Sequence, residues 1–85
     1  MNNMIMRTVP VTAEYKPLSA VSLIGTVTIS ALPSNIGDVF FRGDDGSDVA
    51  WVRGEWHPVV RVDLSEIFIK GTPGDAVTLI GGTWG

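Results

Sequence analysis

The amino-acid sequence predicts a small, single-domain, all-β fold: an antiparallel β-sandwich or jelly-roll-like domain of about seven or eight short strands. Apolar and polar residues alternate with a period of two through most of the chain. Gly, Pro, Asp and Asn interrupt this alternation roughly every ten residues, and no long stretch has apolar residues at helical spacing. We therefore expect one domain over residues 1–85, with an extended N-terminal arm (1–12), the sandwich (13–80) and a C-terminal tail (81–85).

The first part of the chain is predicted to hold two strands. Residues 8–13 form the first, with Val9 and Val11 on one face. Because Pro10 has no N–H to donate to a neighbouring strand, this strand should lie at a sheet edge or as an arm on a neighbouring molecule. Residues 18–24 form the second predicted strand.

The middle of the chain has the clearest strand pattern, over residues 26–32. Threonine and serine occupy one face of this strand and three apolar residues occupy the other: Val27, Ile29 and Ala31. Residues 35–38 are typical of a turn, and residues 39–42 form the next predicted strand.

Four further strands complete the predicted sandwich, and a turn precedes the first two of them. Residues 44–47 contain an Asp-Gly pair that suits a tight turn, because glycine accepts a positive φ. Residues 48–52 and 59–62 are predicted strands, and in the second of these Val60 and Val62 should share a face.

The last predicted strands flank a second turn. Residues 66–70 place Ile67 and Ile69 on one face. The sequence Gly-Thr-Pro-Gly over residues 71–74 is typical of a type II turn, in which proline fixes φ and glycine supplies a positive φ. Residues 75–80 form the final predicted strand.

The composition indicates that this small domain needs a partner. With 85 residues and no cysteine, the chain cannot use disulfides, and its one histidine, His57, excludes the usual zinc sites. The chain is 45% hydrophobic and only 18% charged, although sandwiches are rich in apolar β-branched residues in any case. Small domains without disulfides or metals commonly gain stability by oligomerisation, so we expect a homo-oligomer.

The charge distribution argues against nucleic-acid and membrane partners. The formal net charge is −3, and the six basic residues are spread along the chain without a cluster. The sequence has no apolar run that suits a membrane span or a signal peptide. We therefore expect a chain that stays soluble where it is made.

Two groups of polar residues contain the residue types of a chemical site without its spacing. His57, Asp63 and Ser65 supply the types of a hydrolytic triad, but two of them are only two residues apart and no Gly-x-Ser-x-Gly elbow is present. Aspartates around Gly46 suggest calcium, but the alternating ligand spacing of an EF-hand is missing, and bonding to the local backbone is the favoured interpretation. The aspartates around Gly46 are Asp44, Asp45 and Asp48. From both groups we predict no enzyme activity, no metal and no cofactor.

The three tryptophans have three possible roles, which the sequence leaves open. Trp51 is the foremost candidate for the core. Trp56 and Trp84 are candidates for a subunit interface, where tryptophan is enriched, and Trp84 lies beside the C-terminus, where core burial is unusual. An exposed tryptophan on a β-face could instead stack on a sugar ring.

The second half of the chain contains three further motifs. Residues 54–55 form a Gly-Glu turn, residues 63–71 read Asp-Leu-Ser-Glu-Ile-Phe-Ile-Lys-Gly, and residues 74–77 read Gly-Asp-Ala-Val. With these motifs the sequence resembles small virion proteins of tailed bacteriophages over about its last fifty residues. Residues 35–42, Asn-Ile-Gly-Asp-Val-Phe-Phe-Arg, are similar to a central strand of the same proteins. Residues 1–25 lie outside the likeness.

The resemblance implies a non-enzymatic structural protein of the phage virion, assembled as a homo-oligomer that is commonly a trimer. Such modules decorate or cement the capsid, in contact with the major capsid protein or another virion protein. A tail or neck adaptor, or a fibre-associated receptor- or glycan-binding module, is the alternative. The predicted interface residues are Val9, Val11, Trp56 and Trp84, and residues 1–11 are the candidate for strand addition to a neighbour.

Overall fold

Eight strands and one short 3-10 helix make up a computed structural model of the protein, which describes residues 4–83. The 3-10 helix, Leu64–Glu66, lies between β6 and β7. The strands are β1 (Met4–Pro10), β2 (Lys16–Pro17), β3 (Ile24–Ala31), β4 (Val39–Arg42), β5 (Val49–Trp51), β6 (Trp56–Asp63), β7 (Phe68–Lys70) and β8 (Ala76–Thr83).

The strands form two antiparallel sheets of four strands each. Sheet I has the order β1-β8-β3-β6 and contains the four longest strands, whereas sheet II has the order β2-β7-β4-β5 and is much smaller. The prediction of an all-β, antiparallel sandwich is confirmed.

The core lies between the two sheets, where the inward positions of each strand meet. The alternation predicted for β3 is confirmed, because Val27, Ile29 and Ala31 are all buried. Trp51 also belongs to the core, as predicted: its ring stacks on that of Phe41 with the centroids 3.8 Å apart. This stack lies within sheet II, and the core as a whole contains residues of both sheets.

Both ends of the described chain are paired strands of sheet I, which differs from the predicted arm and tail. β1 pairs with β8 along its whole length and lies at the sheet edge, the alternative that Pro10 favoured. β8 continues past residue 80 to Thr83 and pairs with β3. A Cβ atom on Gly81 would overlap the backbone carbonyl of Thr26. The glycines after residue 80 therefore permit close strand pairing rather than a tail.

A β-bulge in β6 overturns the prediction that Val60 and Val62 share a face. The strand register shifts there, so that Val60 and Arg61 stand together opposite Thr26. Arg61 has a φ of 50°, and its N–H donates to the Thr26 hydroxyl at 3.1 Å. As a result Val59 and Val62 pack against the core, while Val60 points away from it and is 69% exposed.

The prediction of a strand over residues 18–24 is also wrong. β2 ends at Pro17, and β3 begins only at Ile24. The N–H of Leu18 donates to the carbonyl of Ile67 at 2.9 Å, and the chain then turns away from sheet II. The apolar residues of this segment serve a connection between the sheets, with Leu18 itself in the core.

Candidate interaction surface

The outward positions of sheet I form a continuous surface, which we call the outer face. Side chains alternate along a strand, and the buried residues of β3 and β8 identify which positions point inward. The remaining positions point away from the core and lie opposite one another across the four strands. The outer face comprises Met4, Met6 and Thr8 of β1, Thr78, Ile80 and Gly82 of β8, Thr26, Thr28 and Ser30 of β3, and Trp56, Pro58 and Val60 of β6.

This outer face is mostly apolar. Its large apolar side chains are exposed for half or more of their area, and threonines and a serine lie between them. Charged residues lie at one end of it, where Arg61 stands beside Val60 opposite Thr26 and Asp63 stands opposite Ile24. The exposed large side chains are Met4 (71%), Met6 (69%), Val60 (69%), Trp56 (61%) and Ile80 (51%).

The outward side of sheet II, in contrast, carries charged and aromatic side chains. Arg42 and Asp48 form an ion pair there, with Nε and Oδ1 2.7 Å apart, and the Tyr15 hydroxyl donates to the same oxygen at 2.6 Å. The Arg42 guanidinium lies 4.0 Å from the centre of the Tyr15 ring, and Lys70 Nζ lies 4.9 Å from it. These charged and aromatic side chains therefore contact one another on the surface of sheet II.

The pKa values in this cluster follow from the same bonds. The Tyr15 hydroxyl bond, followed by that of Arg42, lowers the pKa of the Asp48 carboxyl. Desolvation, followed by the bond to Asp48, raises the pKa of Tyr15. Both shifts keep the carboxylate ionised and the phenol protonated at neutral pH, so the cluster stays intact there.

The predicted interface residues differ in their exposure. Trp56 lies on the outer face and is 61% exposed, whereas Val9 is partly buried against the core. Val11 lies within the core, because the bond from its N–H to the carbonyl of Asp75 continues the pairing of β1 with β8, in which Val9 and Val11 face inward. Val11 therefore cannot offer its side chain to a partner. Trp84 lies outside the described residues.

Sequence reasoning missed four apolar residues of the outer face. Met4 and Met6 stand two apart in β1, and this alternation was the available signal for an exposed row at the N-terminus. Ile80 follows the same alternation in β8. Val60 could not be found in this way, because the bulge reverses the facing of β6 at that point.

The polar groups that suggested chemical sites make local structural bonds instead. Asp45 accepts the N–H of Ser47 at 2.8 Å, as expected for an aspartate in a turn. Asp63 accepts both the N–H and the hydroxyl of Ser65, whereas His57 Nε2 lies 2.6 Å from Glu55 Oε2. Within residues 4–83, no group of three or more His, Cys, Asp or Glu side chains is placed to hold a metal ion.

Comparison of the chain with protein-family models, with curated proteins and with solved structures finds no match. Over residues 4–83 the structure contains no helix that is long and apolar enough to cross a membrane.

Proposed function

We propose that this protein is a non-enzymatic structural building block that assembles with copies of itself through the outer face of sheet I. The observation that carries the proposal is the outer face itself, a surface with five exposed large apolar side chains on a domain of 85 residues. Burial of such a surface is favourable by roughly 25 cal/mol per Å². The partner that we propose is a second copy of the chain.

The size and charge of the outer face both suit such a partner. The five side chains together expose several hundred Å², comparable with the largest apolar patch of a typical monomer, about 300–600 Å². Adding the threonines and serine between them brings the surface toward the roughly 800 Å² that each partner buries in a standard interface. Because the charged residues lie at one end of the outer face, two copies can meet over the rest of it with little of the repulsion that the net charge of −3 would otherwise cause.

The setting that we propose is a tailed-phage particle, with capsid decoration or cementing as the role. Support for this setting comes from the resemblance of residues 35–42 and 54–84 to small phage virion proteins. A second virion protein, such as the major capsid protein, is then the other partner. Mass spectrometry of purified particles from cells that produce the chain should detect it in constant ratio to other virion proteins. Its absence from such particles would overturn the setting and leave self-assembly to be judged separately.

The mass of the purified protein in solution tests self-assembly. Light scattering across a dilution series should give a mass above the 9.1 kDa of one chain. Val60→Lys places a charge on the outer face and should weaken association at least about tenfold. Val21→Lys is the matched control, since Val21 is 70% exposed, close to the 69% of Val60, and lies in a loop away from the outer face.

Two results of these measurements would contradict self-assembly through the outer face. A wild-type protein that remains monomeric at high concentration would overturn the proposal. Equal effects of Val60→Lys and Val21→Lys would show that the outer face is not the contact surface. Circular dichroism of both variants establishes that the comparison is between folded proteins.

Trp56 supports a second candidate function, binding of a glycan. Trp56 is 61% exposed on β6, opposite Ser30 and two residues from Pro58, an arrangement on which a sugar ring could stack. A glycan-binding module would retain a sugar ligand as an isolated protein and lose it on Trp56→Ala. Absence of binding across a glycan array by the wild-type protein would remove this candidate.

A further inference from the structure

The free edge of β1 presents its backbone groups at alternate residues. The N–H of Val11 donates to the carbonyl of Asp75 at 3.0 Å, which identifies this pair as a hydrogen-bonded one. In an antiparallel ladder such pairs alternate with non-bonded pairs. Following the register back along β1, residues 5, 7 and 9 bond to β8, whereas Met4, Met6 and Thr8 direct their N–H and C=O groups to the free edge.

The opposite edge of sheet I is blocked at its centre. The bond from the N–H of Ala31 to the carbonyl of Glu55, 2.8 Å long, fixes the same alternation for β6. The residues that face the free edge of β6 are thus Trp56, Pro58 and Val60. Pro58 has no N–H, and the bulge begins at Val60. Proline and bulges are the devices by which proteins prevent pairing at an edge strand.

Sheet II offers only short edges. Its edge strands are β2 with two residues and β5 with three. β1, by comparison, has seven residues, and its only proline is the last of them. Among the edges of the described residues, β1 is the long one whose free positions keep their hydrogen-bonding groups up to Thr8.

We propose that β1 pairs antiparallel with β1 of a second copy about a twofold axis at Met6, joining two copies of sheet I into one eight-stranded sheet. This inference deepens the proposed function and rests on self-assembly of the chain. In this register Met6 faces Met6 of the other copy, and Met4 faces Thr8. Three hydrogen-bonded pairs form, and each exchanges both of its bonds.

The neighbouring registers are less favourable. An axis at Arg7 would set Arg7 directly opposite itself and would place Met4 against Pro10, which lacks an N–H. An axis at Ile5 would leave only the two pairs between Met4 and Met6 among the described residues. With the axis at Met6, Arg7 lies opposite Ile5, and no like charges meet.

The pairing also extends the outer face. Residues directly opposite in an antiparallel pair project to the same side of the sheet. Met4, Met6 and Thr8 of the two copies therefore become neighbours, and the two outer faces merge into one. The apolar surface offered to a further partner doubles without any new charge.

Single cysteines test the register, because the chain contains no cysteine of its own and any disulfide must join two copies. Met6→Cys places two thiols on directly opposed residues with Cα atoms about 5.5 Å apart, within the range that a disulfide spans. Met4→Cys is the matched control, since Met4 is 71% exposed against 69% for Met6 and would lie opposite Thr8. Under mild oxidation we expect Met6→Cys to cross-link at least tenfold faster than Met4→Cys.

A proline variant tests the edge itself. Met6→Pro removes an N–H that points away from β8, so the fold should survive, which circular dichroism checks, while the β1 pairing is lost and the mass falls below that of the wild-type assembly. Met6→Thr keeps the N–H and should remain paired.

The outcomes distinguish this inference from the function on which it rests. An assembly that resists Met6→Pro, a trimer in place of a twofold assembly, or equal cross-linking of Met4→Cys and Met6→Cys would overturn the β1 pairing and leave self-assembly intact. A wild-type monomer would overturn both. Should Met6→Pro fail to fold, the ratio of cross-linking rates decides alone.

Discussion

Asn35 and Ala76 bind each other reciprocally across the end of the sandwich. The Asn35 amide donates to the carbonyl of Ala76 at 2.9 Å, and its side-chain oxygen accepts the N–H of Ala76 at 3.0 Å. The Asp75 carboxylate continues this connection by accepting the N–H groups of Ile36 and Gly37. Together these bonds fix the turn before β4 to the start of β8, and so place the small sheet against the large one.

Replacement of Asn35 by alanine should therefore destabilise the domain. Asn35 is only 3% exposed, so its loss leaves the buried N–H of Ala76 without a partner and the Ala76 carbonyl with the N–H of Leu32 alone, at a cost of about 1–3 kcal/mol. Denaturant unfolding measures the effect. Ile36→Ala is the control, because Ile36 is 78% exposed and its side chain should contribute less than about 0.5 kcal/mol. Similar midpoints for the two variants would contradict the role of Asn35.

Gly81→Ala should be among the most damaging small substitutions in the chain. The new methyl would overlap the backbone of Thr26 and Val27 in the adjacent strand, and backbone cannot move aside as a flexible side chain can. We expect a loss of about 3 kcal/mol or more in the free energy of unfolding. Gly43→Ala provides the control, since a Cβ there meets no atom within 4 Å. A Gly81→Ala protein as stable as Gly43→Ala would contradict the close pairing of β8 with β3.

The sequence allowed the fold to be predicted where local pattern and tertiary environment agree. The alternation of β3 is set by burial on one face only, so Val27, Ile29 and Ala31 could be assigned inward from their spacing alone. Trp51 is the foremost candidate for the core among the three tryptophans, and its burial and its stacking on Phe41 agree with that prediction. The burial of these residues could be predicted without knowing which strands pair with one another.

The candidate surface depends on features that no single segment encodes. Val9 and Val11 share a face, as predicted, but β1 pairs with the distant β8, so this face packs on the core and Val11 is buried. The facing of Val60 depends on a register shift against β3, which cannot be read from β6 alone. Exposure is thus decided by pairing between strands that are far apart in sequence.

The bulge in β6 gives a third prediction, which concerns Arg61. Its φ of 50° lies in the left-handed region, where a side chain costs roughly 1–2 kcal/mol and where a β-branched side chain is worst accommodated. Arg61→Gly should therefore be more stable than Arg61→Val by about 1–2 kcal/mol. Thermal unfolding of the two variants measures the difference directly. Equal stabilities, or a more stable valine variant, would show that the bulge relaxes to ordinary strand geometry.

Asp63 gives the last prediction, a dependence of stability on pH. Hydrogen bonds from the Ser22 hydroxyl, from the hydroxyl and N–H of Ser65 and from the N–H of Leu23 lower the pKa of the Asp63 carboxyl strongly. A lowered pKa in the folded state means that folding favours the ionised form. Its contribution is complete above the ordinary pKa of an aspartate, about 4, and is lost as the pH falls below that value toward the folded pKa.

Asp63→Asn should accordingly be less stable than the wild type at pH 7, and this difference should shrink as the pH falls below about 4. Urea unfolding at a series of pH values measures the difference between the two proteins, which removes the contribution of the other carboxylates. Glu66→Gln serves as the control, because it removes a nearby carboxylate without touching the bonds of Asp63 and should keep the pH profile of the wild type. A difference between Asp63→Asn and the wild type that stays constant from neutral to acidic pH would show that the ionised carboxylate contributes no more to the folded state than an amide does.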